Sequence, residues 1–154
     1  MAKLLVLLLT VVAAVAAGPA VARSDAPRAQ PAAAKDGPTI SSRSTRYGRI
    51  LTDGKGRVLY LFTKDGRGAS RCYKACADAW PVRFAAGAPR AGKGVRQSLL
   101  GTVRRSGGRT QVTYAGQPLY YYVGDTAEAQ VTCQDVYEFG GTWLVLRGDG
   151  KAVR

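Results

Sequence analysis

The sequence predicts an all-β fold class: a small antiparallel β domain of two related repeat units, with one short helix. Three observations point there. Short extended segments alternate with glycine-containing turns. The stretch LYLFTKD at 59–65 returns as LYYYVGD at 119–125, 60 residues later. Only CYKACADA, at 72–79, has the composition of a helix.

The elements follow in chain order. Lys3 precedes an apolar run from Leu4 to Ala17 that only Thr10 interrupts, and Ala20-Val21-Ala22 then offers small residues at alternate positions. That is the pattern of a cleaved signal peptide over residues 1–22, cut after Ala22, and it predicts a secreted or periplasmic protein. The run is shorter than the roughly 20 residues a membrane-spanning helix needs. No cysteine adjoins the cut, so no lipid anchor is expected. Residues 23–46 carry Pro27, Pro31 and Pro38, many small residues and no aromatic side chain, which reads as a disordered linker. The folded domain is then expected over 47–154.

Within it, Tyr47–Thr52 and Arg57–Thr63 read as strands joined by the turn Asp53-Gly54-Lys55-Gly56. The helix near Cys72–Ala79 takes Ser70 as its cap and stops at Pro81, just after Trp80. Residues 85–98 read as a surface loop. Strands resume at Gly101–Arg105, Arg109–Tyr114 and Leu119–Val123, and a last one at Trp143–Arg147 is bounded by glycines. Each copy of the repeated stretch is followed, after a variable loop, by a tryptophan: Trp80 in one unit, Trp143 in the other.

The repeat contains Tyr-x-aromatic-x-x-Asp twice: Tyr60, Phe62 and Asp65, then Tyr120, Tyr122 and Asp125. Two-residue periodicity places Tyr60 and Phe62 on one strand face and Leu59 and Leu61 on the other. The same rule sets Tyr120 and Tyr122 opposite Leu119 and Tyr121. Apolar residues on both faces predict central, buried strands. Each aspartate comes where its strand ends, the place for a carboxylate that accepts N–H groups of the next turn. The architectural reading is therefore an aromatic core with turn-fixing carboxylates. A functional reading gathers the tyrosines and both aspartates into one acid–base cleft, but nothing in the sequence brings Asp65 to Asp125.

Cys72 and Cys76 are spaced C-x3-C, and Cys133 is a third cysteine. In an exported protein thiols tend to oxidise. Cys72–Cys76 is the preferred pairing, though the turn between them must tighten for a disulfide. Cys72–Cys133 is its rival, since Cys133 follows Asp125 much as Cys72 follows Asp65. Either way one thiol is left over, and a disulfide dimer through Cys133 is the exception to an expected monomer. Thiol redox or electron-transfer work at Cys72 and Cys76 stands as the alternative function, although the spacing is not that of a thioredoxin-type site.

The chain has no histidine and its one methionine is Met1. Histidine-based triads, imidazole metal ligation and His/Met haem ligation are thereby excluded. No catalytic constellation is recognisable, so neither an enzyme nor a cofactor nor a metal site is expected. Asp53 and Asp149 lie in glycine turns without the dense oxygen spacing of a calcium loop. Charge is the strongest compositional signal. Beyond the signal peptide 22 basic residues face 10 acidic ones, a net of +12, and from Tyr47 onward the balance is 17 to 8. Such a field favours anionic envelope polymers or lipid head groups. No nucleic-acid motif accompanies it.

Taken in order, YGRILTDGKGRVLYLFTKD, CYKACADAWP, QVTYAGQPLYYYVGD and GGTWLVL resemble a bacterial secreted-repeat family, often lipoproteins, described by a Tyr-x-(Phe/Trp/Tyr)-x-x-Asp motif. The resemblance places that motif on Tyr60, Phe62, Asp65 and Tyr120, Tyr122, Asp125, and the family's paired cysteines on Cys72 and Cys76. Two departures stand out: no lipid-anchoring cysteine follows the cut, and Cys133 stands at a glycine-like position. The resemblance implies an extracytoplasmic domain whose biochemical role is not established. The expected function is a non-catalytic envelope module, for binding or structure, whose basic surface faces an anionic partner.

Overall fold

Strand pairing begins earlier than composition suggests. The computed structural model describes residues 37–154, and β1 (Thr39–Thr45) runs antiparallel to β2 (Gly48–Asp53), in register from Ile40↔Asp53 to Thr45↔Gly48. The expected linker therefore does not extend to residue 46, because its last residues form the domain's first strand. TISSRST escapes a composition test because it holds one large apolar residue. That residue, Ile40, is fully buried, and Ser42 is buried beside it with its N–H and Oγ–H both donated to the Lys93 carbonyl. The expected signal peptide, residues 1–22, and residues 23–36 lie outside the described residues.

Beyond β2 come β3 (Tyr60–Phe62), α1 (Ala75–Ala79), β4 (Arg90–Ala91), β5 (Leu100–Arg104), β6 (Thr110–Tyr114), β7 (Gln117–Pro118), β8 (Val136–Glu138) and β9 (Gly141–Val145). They form three three-stranded sheets, β2-β1-β4, β3-β9-β8 and β5-β6-β7. All named pairings are antiparallel except β1 with β4. The 85–98 segment is thus more than a surface loop: it supplies β4 and a 3-10 turn at Gln97–Leu99. Segment 119–123 forms no long strand, yet Tyr120 bridges both Tyr60 and Val82.

The two halves are interlocked. The Trp80 segment of the first half pairs with the second: Arg83 donates its N–H to Leu119 O and Tyr121 to Pro81 O. The Trp143 strand of the second half pairs with the first, through Tyr60↔Val145 and Phe62↔Trp143. Where the halves meet, Tyr60 and Tyr120 exchange N–H···O bonds of 2.9 and 3.0 Å. Each half pairs with the other's tryptophan segment.

This arrangement yields two core clusters on opposite strand faces, as the two-residue periodicity requires. Tyr60, Phe62, Trp80, Tyr120 and Trp143 fill one, with Tyr122 packed against it; Leu59, Leu61, Leu119, Tyr121 and Leu144 belong to the other. The helix is shorter than its sequence suggests, and Ser70 does not cap it. Its N-cap is Lys74, in a left-handed conformation (φ 53°) without a side-chain cap bond, and its C-cap is Trp80. The loop closed by the Cys72–Cys76 disulfide (Cα–Cα 5.3 Å) leaves no room for a regular first turn.

Candidate functional site

The aromatic repeat converges on the junction between the halves. Trp80 and Trp143 stack face to face at its centre, with ring centroids 3.8 Å apart and planes 2° from parallel. Each is met edge-on by the tyrosine of its own half, Tyr60 on Trp80 and Tyr120 on Trp143, both at 5.2 Å. Each is also met by the second aromatic of the other half, Tyr122 on Trp80 at 4.7 Å and Phe62 on Trp143 at 4.2 Å. Aromatic pairs of this kind add about 0.5–1.5 kcal/mol each beyond area burial.

The carboxylates cross between halves as well. Tyr60 donates its hydroxyl to Asp125 Oδ2 at 2.6 Å, and Tyr120 donates to Asp65 Oδ2 at 2.7 Å. The second oxygen of each aspartate fixes its own following loop. Asp65 Oδ1 accepts the Arg71 N–H at 2.6 Å; Asp125 Oδ1 accepts the Thr132 N–H at 3.0 Å and its Oγ–H at 2.6 Å. The turn-fixing role read from sequence is half of what these residues do; the other half is a bond between repeats.

Burial sets their proton affinities. Desolvation, then the Asp125 bond, pushes the Tyr60 hydroxyl far above the usual tyrosine range; desolvation and the Asp65 charge do the same for Tyr120. Asp65 is raised above the ordinary carboxylate value by desolvation, against the pull of the Tyr120 bond, the Arg71 N–H and the Arg105 charge. Both phenols are thus held as neutral donors.

Sequence reasoning missed Arg105. It is buried, and its guanidinium donates to Ser70 Oγ, Gln111 Oε1 at 2.7 Å and the Cys72 carbonyl, while lying 4.1 Å from the Tyr73 ring centre. Ser70, read as a helix cap, instead bonds the Tyr120 hydroxyl at 2.6 Å. No local pattern marks an arginine in a Gly-rich hairpin as buried. A third tyrosine–aspartate pair was equally hidden: Tyr121 donates to Asp53 Oδ2 at 3.0 Å, and Asp53 Oδ1 accepts the Lys55 and Arg57 N–H groups. Asp53 is thereby occupied as a turn residue.

The cysteines resolve into one bridge, Cys72–Cys76, and one free thiol, Cys133. The rival Cys72–Cys133 pairing is not made, although the two are structural counterparts. Arg71 and Thr132 make the same bond to their aspartates, and Lys74 and Asp135 share a left-handed φ of 53° and 61°. The position matching Cys76 is therefore Tyr137, which is exposed. The neighbouring Cys133 side chain is the chief cause that raises the proton affinity of the Tyr122 phenol.

Asp65 also borders a cavity of about 310 Å³, with Leu61, Thr63, Arg67 and Gln117 among its lining. Among the described residues no group of three or more cysteine or acidic side chains is placed to hold a metal ion, and no helix is long and apolar enough to cross a membrane.

The family described as a secreted repeat of unknown function (Lipoprotein_15) matches twice, over residues 41–83 and 101–147. The first match begins inside β1 and ends just past Trp80, and the second ends just past Trp143, so each covers one interlocked half. No curated protein and no solved structure shows significant similarity to the chain.

Proposed function

Because the chain belongs to this secreted-repeat family, we propose that its domain is a non-catalytic extracytoplasmic binding module, its basic surface facing an anionic partner. One observation carries this reading. Over residues 47–154, 17 basic side chains face 8 acidic ones, so nine positive charges have no acidic counterpart within that stretch. Charge left without acidic partners is available to a ligand. The chemically suggestive tyrosines and aspartates, by contrast, spend their hydrogen-bonding capacity on one another.

Thiol redox work at Cys72 and Cys76 has less support, since both are buried against the tryptophan core, 0% and 6% exposed. Exchange requires an accessible sulfur. The binding reading is tested by retention of the purified protein on immobilised polyphosphate as salt is raised. Retention should fall steeply once the screening length drops below about 10 Å. Salt-independent retention, or none at low salt, would overturn it.

A further inference from the structure

One part of the basic surface is built more firmly than the rest. A cavity of about 520 Å³ is lined by Arg49, Arg96 and Arg147, together with Gly94, Gly148 and Asp149. The arginines come from three separate places: β2, the loop before the 3-10 turn, and the residues just after β9.

The buried core ties these places together. Tyr114, fully buried, donates its hydroxyl to Gly148 O at 2.6 Å and accepts the Arg96 N–H at 3.0 Å. One phenol thus pins both loops. Gly148 packs so tightly on the Gly94 carbonyl that a Cβ there has no room. Arg49 Nη2 donates to Ser42 O and Oγ, both at 3.3 Å, and Ser42 in turn holds the Lys93 carbonyl.

The charge of the notch is left open. Arg49 meets only neutral oxygens, and none of the three guanidiniums makes an ion pair. Asp149 is the one acidic residue in the lining, and its Oδ1 accepts the Lys151 N–H at 3.0 Å. Three positive groups against one negative leave a net attraction for anions.

We propose that this notch is where the domain grips its partner, and that it takes the phosphate groups of an anionic polymer; this rests on the binding reading above. Guanidinium forks match phosphate and carboxylate oxygens bidentately. A carboxylate's acceptor lone pairs lie in one plane, whereas the non-bridging oxygens of consecutive phosphates along a chain accept from outside a single plane, which suits arginines supplied by three separate segments. A polymer is favoured over a lipid surface, because membrane binding pairs basic residues with adjacent apolar ones. The lining holds one large apolar side chain, the half-buried Val95 packed on the core, and the exposed large hydrophobics among the described residues, Val123, Tyr137 and Phe139, lie elsewhere.

The test is binding of a fluorescently labelled polyphosphate at about 0.15 M salt, comparing wild type with Arg96→Gln/Arg147→Gln and with Lys55→Gln/Arg104→Gln. The second pair removes equal charge elsewhere, and near-UV circular dichroism checks each fold. The notch pair should weaken binding by about 30-fold or more, the loss of two charge-assisted contacts, and the other pair by less than about 3-fold. Equal weakening in both pairs would sink the notch and leave the binding reading standing. No polyphosphate binding by wild type would sink both. Equal affinity for a polycarboxylate would overturn the phosphate assignment, and tighter binding to phosphatidylglycerol vesicles would replace the polymer with a membrane.

Discussion

Tyr60→Phe removes a single oxygen from the junction between the halves and leaves the ring in place against Trp80. The lost hydroxyl donates to Asp125 Oδ2 at 2.6 Å, inside the core. A hydrogen bond to a charged partner contributes about 1.5–3 kcal/mol net. Thr132 still donates twice to Asp125 Oδ1, so the carboxylate is not stripped bare. The cost should therefore stay below the roughly 3–5 kcal/mol of a buried charge deprived of its partner. We expect a loss of about 2–3 kcal/mol, against a total stability of about 5–15 kcal/mol for a domain. Tyr120→Phe should cost a similar amount, through Asp65 and Ser70. Tyr47→Phe, whose hydroxyl accepts only from the exposed Arg46 side chain, should stay within about 0.5 kcal/mol of wild type. Urea unfolding followed by tryptophan fluorescence measures all three, with an unchanged urea slope confirming the same transition. In melting temperature, the two core variants should drop by about 8–12 °C. If both remain within about 0.5 kcal/mol of wild type, the crossed tyrosine–aspartate bonds do not hold the halves together. The pairs would then have to be reconsidered as a functional site.

Two further outcomes follow from burial. Tyr60, Tyr120 and Tyr121 all have proton affinities raised mainly by desolvation, so the fold keeps a proton that the unfolded chain sheds near pH 10. Their contribution is fully present below that pH and lost above it, at up to about 1.4 kcal/mol per pH unit for each tyrosine. Tyrosinate absorbance should rise first for the exposed phenols and then in a step that coincides with unfolding; smooth titration of all eight tyrosines near pH 10 would count against the buried network. For the thiols, alkylation of the native protein should label Cys133 alone, and a mild reductant should leave Cys72–Cys76 intact until denaturant is added, as mapped by peptide mass. A bridge that opens as fast in the native protein as in denaturant would revive the redox reading.

Much of the aromatic core was legible in the linear chain. Period-two alternation sorts Tyr60 and Phe62 from Leu59 and Leu61 whatever the strands pair with, because the pleat alone sets which face a residue takes. The repeated stretch and its tryptophans announced two equivalent units, and the aspartates announced turns. β1 was illegible for the opposite reason: Ser and Thr carry little apolar signal, and that strand puts only Ile40 into the core and is otherwise held by β2 and by Ser42's bonds to the Lys93 carbonyl. The short β8 hid likewise, since Val136 and Tyr137 are paired to β9 yet only partly buried or exposed.

By itself, then, the sequence determined the all-β class, the duplication, the two strand faces and the excess of positive charge. These depend on local sterics and composition, which need no knowledge of long-range contacts. Only the tertiary structure decided that each tryptophan segment pairs with the opposite half, that Tyr60 and Tyr120 each bond the other half's aspartate, and that Arg105 is buried. It also decided that Cys133, the counterpart of Cys72, stays a thiol while Cys72 pairs with Cys76, and that Arg49, Arg96 and Arg147 meet around one notch. Each of these is a relation between residues far apart in the chain, and their separation is set by how the two halves cross.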